Sequence, residues 1–261
     1  MDGWRLLGLR VYDAFMNMAV DETILTARIE DRVPNTLRLY RWRPSAVSIG
    51  YFQDAEKEAN LEACRNHGVD VVRRPTGGGA VYHAFEGEIT YGIIVNEGDL
   101  GVSGAVTRYQ KLCGGIIYAL DQFGVKAEFS SGSPRACPNI LASGRKISGN
   151  AQLRRRGVLL QHGTVLVNLN LEEMFTFLRV PWAKTVAEVV QVAERKLTSL
   201  WQVLNSEITF DAVSEALIQG FAKALQAQFI RGELTPFEVE TAEKLYGKYR
   251  SDKWNRQRKS P

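Results

Sequence analysis

The sequence has little of what usually announces a chemistry. Three cysteines and three histidines stand in 261 residues. The odd, scattered cysteines (Cys64, Cys113, Cys137) give neither a disulfide framework nor a C-x-x-C metal site, and the histidines are too few for a His-rich metal centre. No apolar run reaches the roughly 18–20 residues that span a bilayer. The start, MDGWRLLGLR, lacks the charged-then-apolar order of a signal peptide. These absences predict a cytoplasmic protein with no membrane partner. The net charge of +4 is mildly basic and does not demand nucleic acid. No internal repeat and no low-complexity linker divide the chain, so residues 1–261 read as a single domain, with residues 186–261 a helical C-terminal portion.

What is present is a pattern of strands and helices. NMAVDETILTARIED (17–31) has its apolar residues near one face, and Asn17 is a candidate N-cap. LRLYRW (38–43) and AVSIGYF (46–52) alternate as strands, with Pro44-Ser45 as the turn between them. A short helix is expected from about Asp54 to Gly68. VDVVRR (69–74), AVYH and ITYGIIV (89–95) continue the sheet, and GRKISG (144–149) and GVLLQHGTVLVNLN (157–170) read as further strands. Residues 105–123 repeat apolar side chains at helical spacing, and Gly114-Gly115 in their midst point to close packing on a neighbour. TFDAVSEALIQGFAKAL (209–225) is amphipathic, and Thr235-Pro236-Phe237-Glu238 is a capping box that opens a last helix. The fold class is α+β: a central mixed or antiparallel sheet flanked by helices.

The chemistry concentrates at RRPTGGGAVYH (73–83). No GK[ST] follows the glycines and no G-x-G-x-x-G is present, so this is neither a P-loop nor a dinucleotide fingerprint. The triplet either serves a tight hairpin or brings backbone amides close to an anion; Arg73 and Arg74 beside it favour the anion site. In GRKISGNAQ (144–152) Lys146 lies between glycines, where an ammonium can meet charge developing on a carbonyl or phosphate. His162 follows a buried-looking strand. Cys64 and Cys113 fall on apolar helical faces and read as core.

These motifs, with NMAVDETIL (17–25), GVLLQHGTVLVNLN (157–170) and YRSDKWN (249–255), resemble the lipoate–protein ligase and octanoyltransferase family, which is similar at a distance to biotin protein ligases. The resemblance implies a biotin/lipoate protein ligase catalytic-domain fold. It implies that Lys146 is the central catalytic residue. A substrate or ATP pocket would be lined by Arg73, Arg74, Thr76, Gly77, Gly78, Gly79, Tyr82, His83, Asn139, Gly149, Asn150, Ala151, His162 and Gly163. On the ligase branch, lipoate and ATP with Mg2+ form lipoyl-adenylate. The acyl group then passes to a lysine of a lipoyl domain of a 2-oxoacid dehydrogenase or of the glycine-cleavage carrier protein. ATP and Mg2+ are co-substrates here, lipoate or octanoate is the acyl substrate, and no cofactor is tightly bound.

Several positions depart from the ligase pattern. An Asp usually follows the loop histidine; here the order is His83-Ala84-Phe85-Glu86, leaving Glu86 or Glu88 as substitutes. Asn139 stands where ligases tend to carry a carboxylate, preceded by Cys137-Pro138. The transferase branch loads an acyl group on a cysteine ahead of this lysine and needs no ATP. Cys137, nine positions before Lys146, is the candidate for that role, or an unreactive loop residue. Two-domain ligases carry an accessory domain; residues 186–255 would be a reduced version, or a separate accessory subunit would assist adenylation. The basic stretches Arg154-Arg155-Arg156 and KWNRQRK read as a solvated face or as docking sites for an acidic carrier, not for nucleic acid. The ligase is the expected function, and the cysteine-dependent transferase the alternative.

Overall fold

The computed structural model describes residues 3–131 and 137–257. In chain order the elements are β1 (Trp4–Tyr12), α1 (Ala14–Ile29), β2 (Thr36–Trp42), β3 (Ala46–Ile49), α2 (Ala55–Glu58), α3 (Leu61–Asn66), β4 (Asp70–Arg73), β5 (Val81–His83) and β6 (Glu88–Asn96). Then follow α4 (Ala105–Asp121), β7 (Ala127–Ser130), β8 (Asn139–Ala142), β9 (Arg145–Arg155), β10 (Val158–Leu166), α5 (Leu171–Phe177), α6 (Val186–Ala193), α7 (Leu200–Leu204), α8 (Phe210–Leu225), β11 (Phe229–Arg231), α9 (Pro236–Arg250) and α10 (Asp252–Asn255). Among the described residues no helix is long and apolar enough to cross a membrane.

An eight-stranded sheet runs in the order β11-β1-β2-β6-β10-β9-β8-β7, and a three-stranded sheet in the order β4-β3-β5. The pairs β11/β1, β1/β2 and β3/β4 are parallel and the others antiparallel, so both sheets are mixed. Side-chain alternation divides the core of the large sheet. On β6, Ile93 belongs to the cluster formed with Ile116 of α4 and with Leu217 and Phe221 of α8. Its neighbour Ile94 packs on the opposite face with Val20, Ile24 and Leu25 of α1 and Ala242 of α9. The sheet is thus covered by helices on both faces, as the α+β reading expects.

Four expectations change in detail. The first helix begins at Ala14, with Asp13 as its cap: the Asp13 carboxylate accepts from the Met16 amide at 2.7 Å. Asn17 lies inside the helix and donates instead to the carbonyls of Tyr12 and Arg41. The strands on either side of Pro44-Ser45 do not pair; β2 belongs to the large sheet and β3 to the small one. The expected helix over 54–68 is two short helices, capped separately by Asp54 and Asn60. Residues 186–261 are not wholly helical either: β11 pairs in parallel with β1, α9 lies along α1, and α10 reaches β4. Gly114-Gly115 do mark close packing. A Cβ on Gly115 would stand 2.1 Å from the Phe221 ring of α8.

Candidate functional site

The strand VLLQHGTVL is buried along its length because β10 is sandwiched between β6 and β9. Its centre, His162-Gly163-Thr164, forms one wall of a cavity of about 400 Å³. Other walls come from Tyr40 and Trp42 on β2, Ser48 on β3, the glycine loop, His83 on β5, Thr90 on β6 and Met18 on α1. Cys137, Asn139, Lys146, Gly149, Asn150 and Ala151 complete it. Both sheets therefore contribute to one cleft.

Lys146 is held by its main chain: its amide donates to Lys196 O at 2.8 Å and its carbonyl accepts from the Thr198 amide at 2.9 Å. A register shift between β8 and β9 beside it breaks the ladder. Its ammonium folds back over Gly149, where a Cβ would lie 2.7 Å from Nζ. Burial lowers the lysine's pKa and Arg74 adds to that, while a charge on Cys137 opposes it. Cys137 is half-buried, lines the same cavity, and interacts with the Tyr109 side chain of α4, whose pKa it helps to raise. The other thiols are core, as expected. Burial pushes Cys64 up to about 11 and Cys113 up to about 12, which suppresses the thiolate in both.

The two loop arginines part company. Arg74 is buried beside the cavity and clamps the loop: it donates to Gly77 O and Gly79 O at 2.7 Å, to Ser48 O at 3.1 Å and to Thr76 Oγ1 at 3.1 Å. Burial lowers its pKa to about 10. Arg73 does not reach the cavity; its guanidinium is spent on backbone carbonyls of residues 50–53 and of α10. The expected pair of anion-binding arginines is therefore a loop clamp and a structural junction. Successive residues of a strand face opposite ways, and that separates them.

Of the other expected residues, Gly78, Gly79, His83, Asn139, Gly149, Asn150, Ala151, His162 and Gly163 line the cavity. Thr76 stands behind it, its hydroxyl 2.7 Å from His162 Nε2. Gly77 offers its carbonyl to Arg74, and Tyr82 points away, donating to Glu173 at 2.7 Å and packing on Phe177. His83 stacks on Trp42 at 4.0 Å and meets Ser48 Oγ at 2.8 Å and Glu88 Oε1 at 2.6 Å. Glu88, not Glu86, is thus the carboxylate that answers the loop histidine; Glu86 is exposed near Arg41.

The sequence reading missed Asp21, Arg38, Tyr40, Trp42, Ser48 and Thr90. Asp21 bonds His162 Nδ1 at 3.0 Å, Arg38 at 2.6 Å and the Tyr40 hydroxyl at 2.9 Å. Burial alone would raise the Asp21 pKa, but Arg38 and His162 together hold it below its ordinary value. Burial lowers that of His162. The signal available was an acidic residue in the buried stripe of NMAVDETIL. Among the described residues no group of three or more His, Cys, Asp or Glu side chains comes together to hold a metal ion. Arg154 is paired with Glu97, and Arg155 lies 3.6 Å from Glu22. Of the basic stretch 253–259, residues 258 and 259 lie outside the described residues.

Comparison with known proteins adds kinship to this geometry. The family model of the lipoyl protein ligase A/B catalytic domain matches residues 13–222. The octanoyltransferase LipM of Kyrpidia tusciae is 41% identical over 98% of this chain and 99% of its own length. That of Brevibacillus brevis is 34% identical over 99% of this chain and 100% of its own. Among solved structures, a bipartite lipoate protein ligase from Thermoplasma acidophilum superposes with a TM-score of 0.84 at 26% identity, covering 100% of this chain and 99% of that one. A lipoate-protein ligase A bound with ATP does so with a TM-score of 0.83 at 28% identity, covering 98% of each. The ligases share the fold, but the full-length relatives of higher identity are octanoyltransferases. This overturns the expectation of an ATP-dependent, adenylate-forming ligase. The ATP and Mg2+ co-substrates fall with it, as does the reason to expect an accessory subunit for adenylation.

Proposed function

The chain belongs to the lipoyl protein ligase A/B catalytic-domain family, and from that premise we propose that it is an octanoyltransferase acting through a thioester on Cys137. The observation that carries this reading is the placement of the Cys137 thiol and the Lys146 ammonium in one cavity, lined partly by Met18, Trp42, Ala80, Val81 and Ala151. Those apolar surfaces suit a medium-length acyl chain, and a cavity of this size encloses one.

In the first half-reaction Cys137 Sγ attacks the carbonyl carbon of an octanoyl thioester on a donor carrier. The new S–C bond forms, the donor's S–C bond breaks, and the leaving sulfur takes up the proton that the Cys137 thiol gives up. In the second, the ε-amine of an acceptor lysine attacks the Cys137 thioester. The C–N bond forms, the S–C bond breaks, and the amine's proton returns the sulfur to a thiol. Lys146 neutralises negative charge on Sγ and on the carbonyl oxygen as it develops. Its lowered pKa also makes it a better proton donor than a solvated lysine. Arg74 shapes the glycine loop, and Asp21, His162 and Thr76 form a hydrogen-bonded chain that braces it. The acceptor is the lysine of a lipoyl domain or of the glycine-cleavage carrier protein.

The test is the intact mass of the protein after incubation with an octanoyl-thioester carrier and no ATP. Replacement of one thiol hydrogen by one octanoyl group, reversed by hydroxylamine and absent in Cys137→Ala, is the expected result. Full transfer to the acceptor by Cys137→Ala would overturn the proposal.

A further inference from the structure

Arg73 and the motif YRSDKWN are both without a part in the chemistry above, and the structure joins them. Arg73 is fully buried at the end of β4. A guanidinium in that setting is tolerated only when its N–H groups are paired. Nη1 donates to the carbonyls of Gly50, Tyr51 and Gln53 at 3.1, 2.9 and 2.6 Å. On its other side Nε donates to Trp254 O at 3.0 Å and Nη2 to Asn255 O at 2.8 Å. The main chain of Arg73 closes the junction. Its amide donates to Asn255 Oδ1 at 2.7 Å, and its carbonyl accepts from Trp254 Nε1 at 2.8 Å. Asn255 Nδ2 in turn donates to Tyr249 O at 2.6 Å, and the Tyr249 hydroxyl donates to Glu22 of α1 at 2.6 Å. The turn α10 is thus mounted on the core and grips residues 50–53 through one side chain.

Those residues carry the glycine loop. The Tyr51 amide donates to Thr76 O at 2.9 Å. Gly50 lies flush against the loop, since a Cβ there would stand 2.0 Å from Gly78 O. A Cβ on Gly78 would stand 3.2 Å from Cys137 Sγ. A continuous series of contacts therefore runs from Asn255 through Arg73, Gly50 and Gly78 to the thiol.

We propose that α10 is a latch that holds the glycine loop against Cys137, with Asn255 and Arg73 as positioning residues for acyl transfer. It rests on the reading of Cys137 as the acylated residue. Opening the latch lets the loop lift, which uncovers the sulfur while misplacing the groups around the acyl carbonyl.

The cysteines supply the test, because Cys64 and Cys113 are buried in separate cores and report global loosening. The full-length protein and its variants Asn255→Ala and Asn255→Asp are labelled with iodoacetamide without any acyl donor, and each cysteine is followed by peptide mass. In Asn255→Ala, labelling of Cys137 is expected to rise several-fold with Cys64 and Cys113 still protected. The kcat for octanoyl transfer is expected to fall about 10- to 100-fold with KM little changed, as for a displaced reacting group. Asn255→Asp keeps the acceptor for the Arg73 amide but loses the donor to Tyr249 O, so both properties should fall between those of Asn255→Ala and of the unaltered protein. Unchanged Cys137 labelling, or parallel labelling of all three cysteines, would overturn the latch. Because the labelling needs no substrate, it separates that failure from a failure of the octanoyltransferase reading.

Discussion

The sulfur of Cys137 packs against the bare Cα of Gly78, at a point where a Cβ would stand 3.2 Å from Sγ and 2.9 Å from an Arg74 nitrogen. Gly78 also has φ +93°, a conformation that side chains other than hydrogen disfavour. Its two neighbours differ: a Cβ on Gly77 or Gly79 meets nothing within 4 Å. The triplet therefore contains one glycine required by space and backbone together. Gly78→Ala should lower the rate of Cys137 acylation by about tenfold or more, as expected for a small misplacement of reacting groups. Gly77→Ala should lose far less. Single-turnover mass measurements on the two variants make the comparison.

The buried ammonium of Lys146 has a stability cost. Its pKa is lowered in the folded protein, so between the folded and unfolded values the unfolded chain binds more protons and stability rises with pH. Below the folded value the charge is carried at full cost. Lys146→Met removes it, and should raise Tm at neutral pH by about 2–4 °C while abolishing transfer. The difference in Tm should shrink as the pH rises toward that of an ordinary lysine. Thermal melts across neutral to alkaline pH measure both.

Glu88 and Glu86 offer a second contrast. The Glu88 carboxylate is buried and accepts from Thr90 Oγ1 at 2.8 Å while meeting His83 at 2.6 Å. Glu88→Ala strands both partners and should cost about 3 kcal/mol. Glu86→Ala, at an exposed side chain, should fall within about 0.5 kcal/mol of wild type. Urea unfolding of the two variants gives the comparison.

The helix pair α4–α8 yields a prediction of opposite signs at adjacent positions. A Cβ on Gly115 would collide with Phe221, whereas one on Gly114 would meet Ala224 at an ordinary 3.5 Å. Gly114→Ala should stabilise by up to about 1 kcal/mol through helix propensity. Gly115→Ala should destabilise by about 1–3 kcal/mol through overpacking. Calorimetry on the two single variants checks the signs.

Much of this molecule was legible as sequence, because local chemistry writes itself locally. Helical spacing and the Thr235 capping box located α8 and α9, and apolar runs located β10 and the first part of β9. The resemblance of the motifs around Lys146 and the glycine loop to those of a known family pointed to that family and its fold. Asp21 stayed hidden because an acidic residue in a helix is ordinary until its partners, Arg38, Tyr40 and His162, are brought to it from two strands.

Tertiary structure alone decided the rest. Whether Arg73 or Arg74 faces the cleft depends on which side of β4 the chain turns, and no spacing in RRPTGGG reveals it. Whether β3 pairs with β2 depends on competition between two sheets, and β11 exists because β1 offers it an unpaired edge. Glu88 answers His83 because the chain reverses between β5 and β6, carrying the nearer Glu86 out to solvent. The sequence determined which residues were available for chemistry; its motifs led to the ligase expectation, and comparison with relatives of higher identity, the octanoyltransferases, overturned it. The fold decided which of those residues share a cavity. Side-chain direction and long-range pairing are properties of the assembled sheets, not of any one segment.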